Sequence, residues 1–153
     1  MKRLVAACTV PVVAALVAVA APAAATFQAS DAMKAIVGSY LEIHARLAAD
    51  KTDGITASAA NIAKTASAMG ERGAAIAKAA KAVEDAGDLK AARDAFGPLS
   101  EAVIAAAQAE GMQGLGVKQA FCPMVKRSWL QKEDKIRNPY YGTSMLECGE
   151  IKK

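Results

Sequence analysis

Four sulfur-bearing residues near the C-terminus have types and spacing that could bind a metal. Cys122 and Met124 form a C-x-M pair, and Met145 and Cys148 form an M-x-x-C pair. If the second pair lies on a helical turn, its two side chains share one face. Folding the segments together would present two thiolates and two thioethers, a soft donor set that selects Cu(I) or Ag(I) over hard cations. Zinc is a poorer match, because thioethers are weak ligands for it and His44 is the only histidine in the chain. Trp129, which lies between the two pairs, could place its ring over a bound cation.

The compartment decides what else these cysteines could do. Met1, Lys2 and Arg3 give a short positive start, an apolar run covers residues 4–21, and small residues at Ala23 and Ala25 form an A-x-A ending. This is the pattern of an export signal, with cleavage expected near Ala25. Removing Lys2 and Arg3 lowers the formal charge from +4 to +2, too weak a balance to imply nucleic acid or an anionic membrane as partner. Cys8 would leave with the signal, so the periplasmic chain would keep Cys122 and Cys148.

In an oxidising compartment, two remaining cysteines commonly form a disulfide. Bridging Cys122 to Cys148 would close a loop of about 27 residues and stabilise the domain by about 3.5 kcal/mol in the chain-entropy treatment. Met124 and Met145 would then be packing residues, and Trp129, Tyr140 and Tyr141 would add core area. A disulfide sulfur is not a thiolate ligand, so at any moment the site holds a bridge or a metal. A site that alternates between them is the third alternative. All three remain open at the level of sequence.

The rest of the chain offers little chemistry. With one histidine no Ser-His-Asp arrangement or histidine metal triad can be assembled. His44 falls on the inner stripe of a helix, where a hydrogen-bonded structural role is the expectation and a distant metal ligand near the sulfur site or a proton-sensitive contact is the alternative. Asp50 and Asp53 flank a turn and read as helix-end residues. Gly111, Gly114 and Gly116 are not followed by a phosphate-binding Lys-Ser/Thr. No activated nucleophile or acid–base pair can be named, so an enzyme is not expected.

The elements that must carry the sulfur residues follow from composition. Hydrophobic residues make up 54% of the chain and aromatics only 5%, because alanine supplies so much of the apolar count. Alanine favours helices and lets their axes approach, whereas a sandwich or barrel would lean on β-branched and aromatic residues. The fold expected is all-α, an antiparallel bundle of about four helices with an irregular tail packed on it. Ser30 or Asp31 should cap a first helix that carries Met33, Ile36, Val37, Tyr40, Leu41, His44 and Leu47 to about Asp50. A second helix should run from Ile55 to Met69, with an interruption at Gly70 and Gly73 before residues 74–85. Asp88 should cap a further helix, which Gly97-Pro98 should break or kink. One domain is expected over residues 26–153, with a helical body at 26–117 and a tail at 118–153. The body carries a net −2 and the tail +4, and the tail holds four of the seven aromatics.

The tail reads CPM…W…NPYYG…MLECG, from Cys122-Pro123-Met124 through Trp129 and Asn138-Pro139-Tyr140-Tyr141-Gly142 to Met145-Leu146-Glu147-Cys148-Gly149. These elements, with Tyr40-Leu41, Leu47, Asp50, Arg93, Phe96, Leu99 and Ser100 in the body, resemble the exported bacterial family called domain of unknown function 3347. The resemblance implies a helical domain that occurs alone or appended to periplasmic adaptors of copper/silver efflux systems. It also implies a link to soft metals and an efflux adaptor or other periplasmic protein as partner.

Overall fold

The computed structural model describes residues 30–152; the expected export signal and its cleavage point lie outside the described residues. Helix α1 (Asp31–Ala48) begins where Ser30 Oγ accepts from the Met33 amide at 3.2 Å. Its charges suit the helix dipole, with Asp31 in the first turn and Arg46 in the last. Met33, Ile36, Val37, Tyr40, Ile43, His44 and Leu47 form its buried stripe. Helix α2 (Ile55–Ala68) starts from Gly54, which holds φ +80°. A short 3-10 turn (Gly70–Gly73) leads into α3 (Ala74–Glu84). At Gly73 a Cβ would stand 1.9 Å from the Ala66 carbonyl oxygen, so only glycine allows the chain to turn this closely on α2. Helix α4 (Leu89–Glu110) is capped by Asp88, whose Oδ1 accepts from the Ala91 amide at 2.7 Å.

Packing follows chain order, α1 on α2, α2 on α3 and α3 on α4, and α4 returns to α1. The result is a mostly helical bundle whose alanines (Ala59, Ala66, Ala80, Ala92 and Ala107) sit almost wholly inside. Helix α4 runs through Gly97-Pro98 without the break that is one of the two expectations there. Proline removes the amide that would bond the Asp94 carbonyl. That oxygen instead accepts from Arg127 Nη1 at 3.0 Å, so the missing helical donor is supplied from the tail. Gly97 leaves room for the guanidinium, because a Cβ there would lie 1.9 Å from Nη1.

The tail corrects the all-α expectation. It forms a small antiparallel sheet of β1 (Lys118–Cys122), β2 (Arg127–Gln131) and β3 (Glu150–Ile151), ordered β2-β1-β3. Ala120 pairs with Trp129 on one side and with Ile151 on the other. The hairpin turn at residues 123–126 closes with Lys126 at φ +54°. Strands of five, five and two residues are too short for strong alternation, and β3 reaches β1 from the far end of the tail.

Aromatic residues form the seam between bundle and sheet. Tyr40 of α1 stacks on Phe96 of α4 at 4.9 Å, Phe96 meets Tyr140 at 5.9 Å, and Tyr140 meets the edge of Trp129 at 6.0 Å. Such pairs each add about 0.5–1.5 kcal/mol beyond buried area. The few aromatics of an alanine-rich chain are thus concentrated where the sheet docks.

Candidate thiol and thioether site

Backbone pairing brings the two cysteines together. Phe121 is registered against Glu150, so one step further along β1 sets Cys122 opposite Gly149, beside Cys148. Gly149 holds φ +143°, and a Cβ there would come within 2.9 Å of both the Phe121 carbonyl oxygen and Trp129 Cη2. Only glycine lets the chain cross the indole edge this closely. On the other flank, Asn138 Nδ2 donates to the Cys148 carbonyl at 2.7 Å, and the Asn138 amide donates to Leu146 O at 2.7 Å. Cys122 and Cys148 are free thiols with their sulfurs 2.8 Å apart.

The two thiols differ in surroundings. Cys122 is fully buried, whereas Cys148 is partly exposed. Burial pushes the Cys122 thiol up, but hydrogen bonds from Cys148, the Val125 and Met124 amides and Asn138 outweigh it and hold Cys122 below the usual thiol value. Cys148 is raised, chiefly through its hydrogen bond to Cys122 and then by desolvation. Pro123 has no N–H, so the first amides after Cys122 that can turn back on its sulfur are those of Met124 and Val125.

The remaining candidates separate into two groups. Among the described residues Met124 and Met145 are the exposed large hydrophobic side chains, at 65% and 39% exposure. Each stands within three residues of one member of the thiol pair. They are not the buried gap-fillers that a purely structural role would require. Met145 and Cys148 lie on a tight turn closed by Cys148 N to Met145 O at 3.1 Å, not on an α-helix. Trp129 is fully buried, its Nε1–H donates to Gln131 Oε1 at 2.9 Å, and its edge meets Tyr140. It is a core residue that also shapes the path of Gly149. His44 is buried and its Nε2 donates to the Arg137 carbonyl at 2.7 Å. Burial lowers its pKa, so it is a neutral structural histidine anchoring the tail to α1. Among the described residues no three or more His, Cys, Asp and Glu side chains converge as a metal-binding group, so a metal here would depend on thioether donors.

No family model matches the chain, and neither a curated protein nor a solved structure matches it.

The fold also recruits residues with no obvious signature. Gln131 is fully buried in β2; its Nε2 donates to Glu133 O and Lys135 O, and its Oε1 accepts from Trp129 and the Arg137 amide. Asn138 Oδ1 accepts from the Tyr140 and Tyr141 amides, so one side chain shapes the NPYYG turn and holds Cys148. That turn docks on the bundle through Arg93, which donates to Pro139 O at 3.0 Å and Leu47 O at 2.8 Å and pairs with Asp50. Asp50 in turn accepts from the Thr143 amide at 3.0 Å and from its hydroxyl. Among the described residues every buried side-chain nitrogen and oxygen has a partner. The chemistry left over is that of the thiol pair and its two exposed thioethers.

Proposed function

We propose that this is an exported periplasmic protein, an antiparallel four-helix bundle whose sheet-bearing tail takes up Cu(I) or a similar soft ion at Cys122, Cys148, Met124 and Met145. The observation that carries the reading is the exposure of Met124 and Met145, which lie two and three residues along the chain from a pair of contacting cysteine sulfurs. The other residues of CPM…W…NPYYG…MLECG have structural roles, since Asn138 and Gly142 set turns, Trp129 and Tyr140 fill the seam, and Gly149 admits the thiol pair. The two methionines are instead exposed, and exposing a large apolar side chain forgoes hydrophobic stabilisation. Thioethers beside thiolates form a donor set suited to Cu(I). The resemblance of the tail to a family found with copper/silver efflux adaptors agrees with that chemistry, and makes such an adaptor the partner we propose.

The contact between the sulfurs favours a second reading, a disulfide-stapled interaction module that binds no metal. Two thiolates on a tetrahedral ion with bonds of about 2.3 Å stand about 3.8 Å apart, wider than the 2.8 Å contact. Metal uptake would therefore require Cys148 to move away from Cys122.

A Cu(I) titration of reduced protein against a competing chelator decides between them. The metal reading expects tight binding, with M124L and M145L each weakening it about tenfold, equivalent to about 1.4 kcal/mol. Binding unchanged in both variants removes the thioethers from the site. No binding by folded, reduced wild type removes the metal reading.

A further inference from the structure

We propose that Cys122 and Cys148 form a reversible dithiol/disulfide couple that exchanges with the disulfide of a partner molecule, with Cys148 as the point of entry and Cys122 as the resolving thiol. The inference rests on the placement of the two sulfurs and does not depend on metal binding.

Two observations carry it. The first is asymmetry of access. Cys122 is fully buried at the end of β1, whereas Cys148 is partly exposed on the loop before β3. Thiol–disulfide exchange needs an incoming sulfur aligned with the bond being broken, so a substrate disulfide can reach Cys148 and not Cys122. The second is the 2.8 Å contact, which holds the resolving sulfur against the one that would carry a mixed disulfide. That proximity replaces a bimolecular second step with an intramolecular one. The backbone beneath both sulfurs is anchored. Cys122 is fixed by strand pairing, and Cys148 by the Asn138 Nδ2 bond to its carbonyl and by the turn from Met145.

The reaction balances without another reagent. Cys148, having given its proton to solvent, attacks one sulfur of R–S–S–R; that bond breaks and RS⁻ leaves with the electron pair. Cys122, also deprotonated, then attacks Cys148 Sγ, the mixed disulfide breaks, and a second RS⁻ leaves. The two departing thiolates take up the two protons. The protein is oxidised from dithiol to disulfide, and R–S–S–R is reduced to two thiols. The reverse direction oxidises a partner dithiol. An oxidised pair offers no thiolate, so exchange would also determine when a soft metal can be held.

The test uses oxidised glutathione and reduced, metal-free protein. Wild type should release two glutathione equivalents and end with an internal disulfide, remaining folded in both states. C122S should stop at one equivalent, with glutathione attached at Cys148 by peptide mapping. C148S should react at least about tenfold more slowly than C122S, because its remaining thiol is buried. A substoichiometric alkylating agent applied to native wild type should label Cys148 first, a readout that requires no variant. Preferential labelling of Cys122, equal reactivity of the two variants, or a disulfide that stays inert in reducing glutathione buffer while folded would overturn the proposal. Exchange in a protein that ignores Cu(I) would leave this inference standing and remove the metal reading alone.

Discussion

Arg127 Nη1 donates to the Asp94 carbonyl at 3.0 Å, replacing the helical amide that Pro98 lacks. Asp94 lies four residues before Pro98, so its oxygen would otherwise face a pyrrolidine ring with no donor. The same guanidinium carbon stands 5.6 Å from the Tyr140 ring centroid, which ties the hairpin to α4 and to the aromatic seam. A helix fault and a tail anchor are therefore one interaction.

Replacing Arg127 with methionine should destabilise the protein by about 0.5–1.5 kcal/mol, the net contribution of a hydrogen bond whose acceptor stays open to water. In a P98A background the new amide can bond Asp94, so the same replacement should cost less. The difference should exceed about 0.5 kcal/mol in a double-mutant cycle measured by urea unfolding. Strict additivity would show that the Arg127 contact and the proline are unconnected.

Asp50 gives a pH prediction. Hydrogen bonds from Thr143 and Arg93 hold its carboxyl down at about 2 from the usual 3.8. A depressed carboxylate contributes stability that is complete above the unfolded value and disappears as pH falls toward the folded one. The wild type should therefore lose melting temperature between about pH 4 and pH 2 in part through this group. Asp50 sits at φ +57°, a conformation that asparagine also tolerates, so D50N removes the charge with little backbone penalty. D50N should be less stable at neutral pH and should show a shallower loss across the acid range. Parallel profiles for the two proteins would mean that the ion pair with Arg93 is energetically idle.

The helices were legible because their signals are local. Ser30 and Asp88 cap where capping chemistry places them, and the buried stripe of α1 matches the apolar period from Met33 to Leu47. The continuity of α4 through Gly97-Pro98 is not legible locally, because the donor to the Asp94 carbonyl comes from Arg127 in the tail. The sheet is not legible because its strands are very short and β3 reaches β1 from the far end of the tail. At the site, the sulfur residues were identifiable by type. Trp129 as added core is one of the alternatives the sequence offers, and the structure buries it fully; the role of Asn138 as clamp on Cys148 has no local signature, because that hydrogen bond arises only once the tail has folded.

His44 should make stability fall on mild acidification. Burial lowers its pKa below 6.5, against the opposing pull of the Arg137 carbonyl. The unfolded chain then binds a proton at a pH where the folded chain does not, so stability is full above about pH 6.5 and declines below it. H44Q keeps a side-chain N–H able to reach the Arg137 carbonyl but does not titrate. Between pH 7.5 and 5.5 the melting temperature of wild type should drop more than that of H44Q. Equal drops would assign the acid sensitivity to other groups.

The docking of sheet on bundle can be read at a single amide. Tyr40 Oη accepts from the Leu130 amide at 3.2 Å and shares a proton with Ser100 Oγ at 2.7 Å, both in a fully buried setting. Y40F removes the acceptor while keeping the ring that stacks on Phe96. It strands the Leu130 N–H and the Ser100 hydroxyl, and should cost about 1–3 kcal/mol. S100A leaves Tyr40 free to accept from Leu130 and should cost less. Hydrogen exchange separates the two effects, since Leu130 should lose protection in Y40F beyond the fall in global stability and not in S100A. If both variants change protection only in step with global unfolding, Tyr40 contributes through its ring alone.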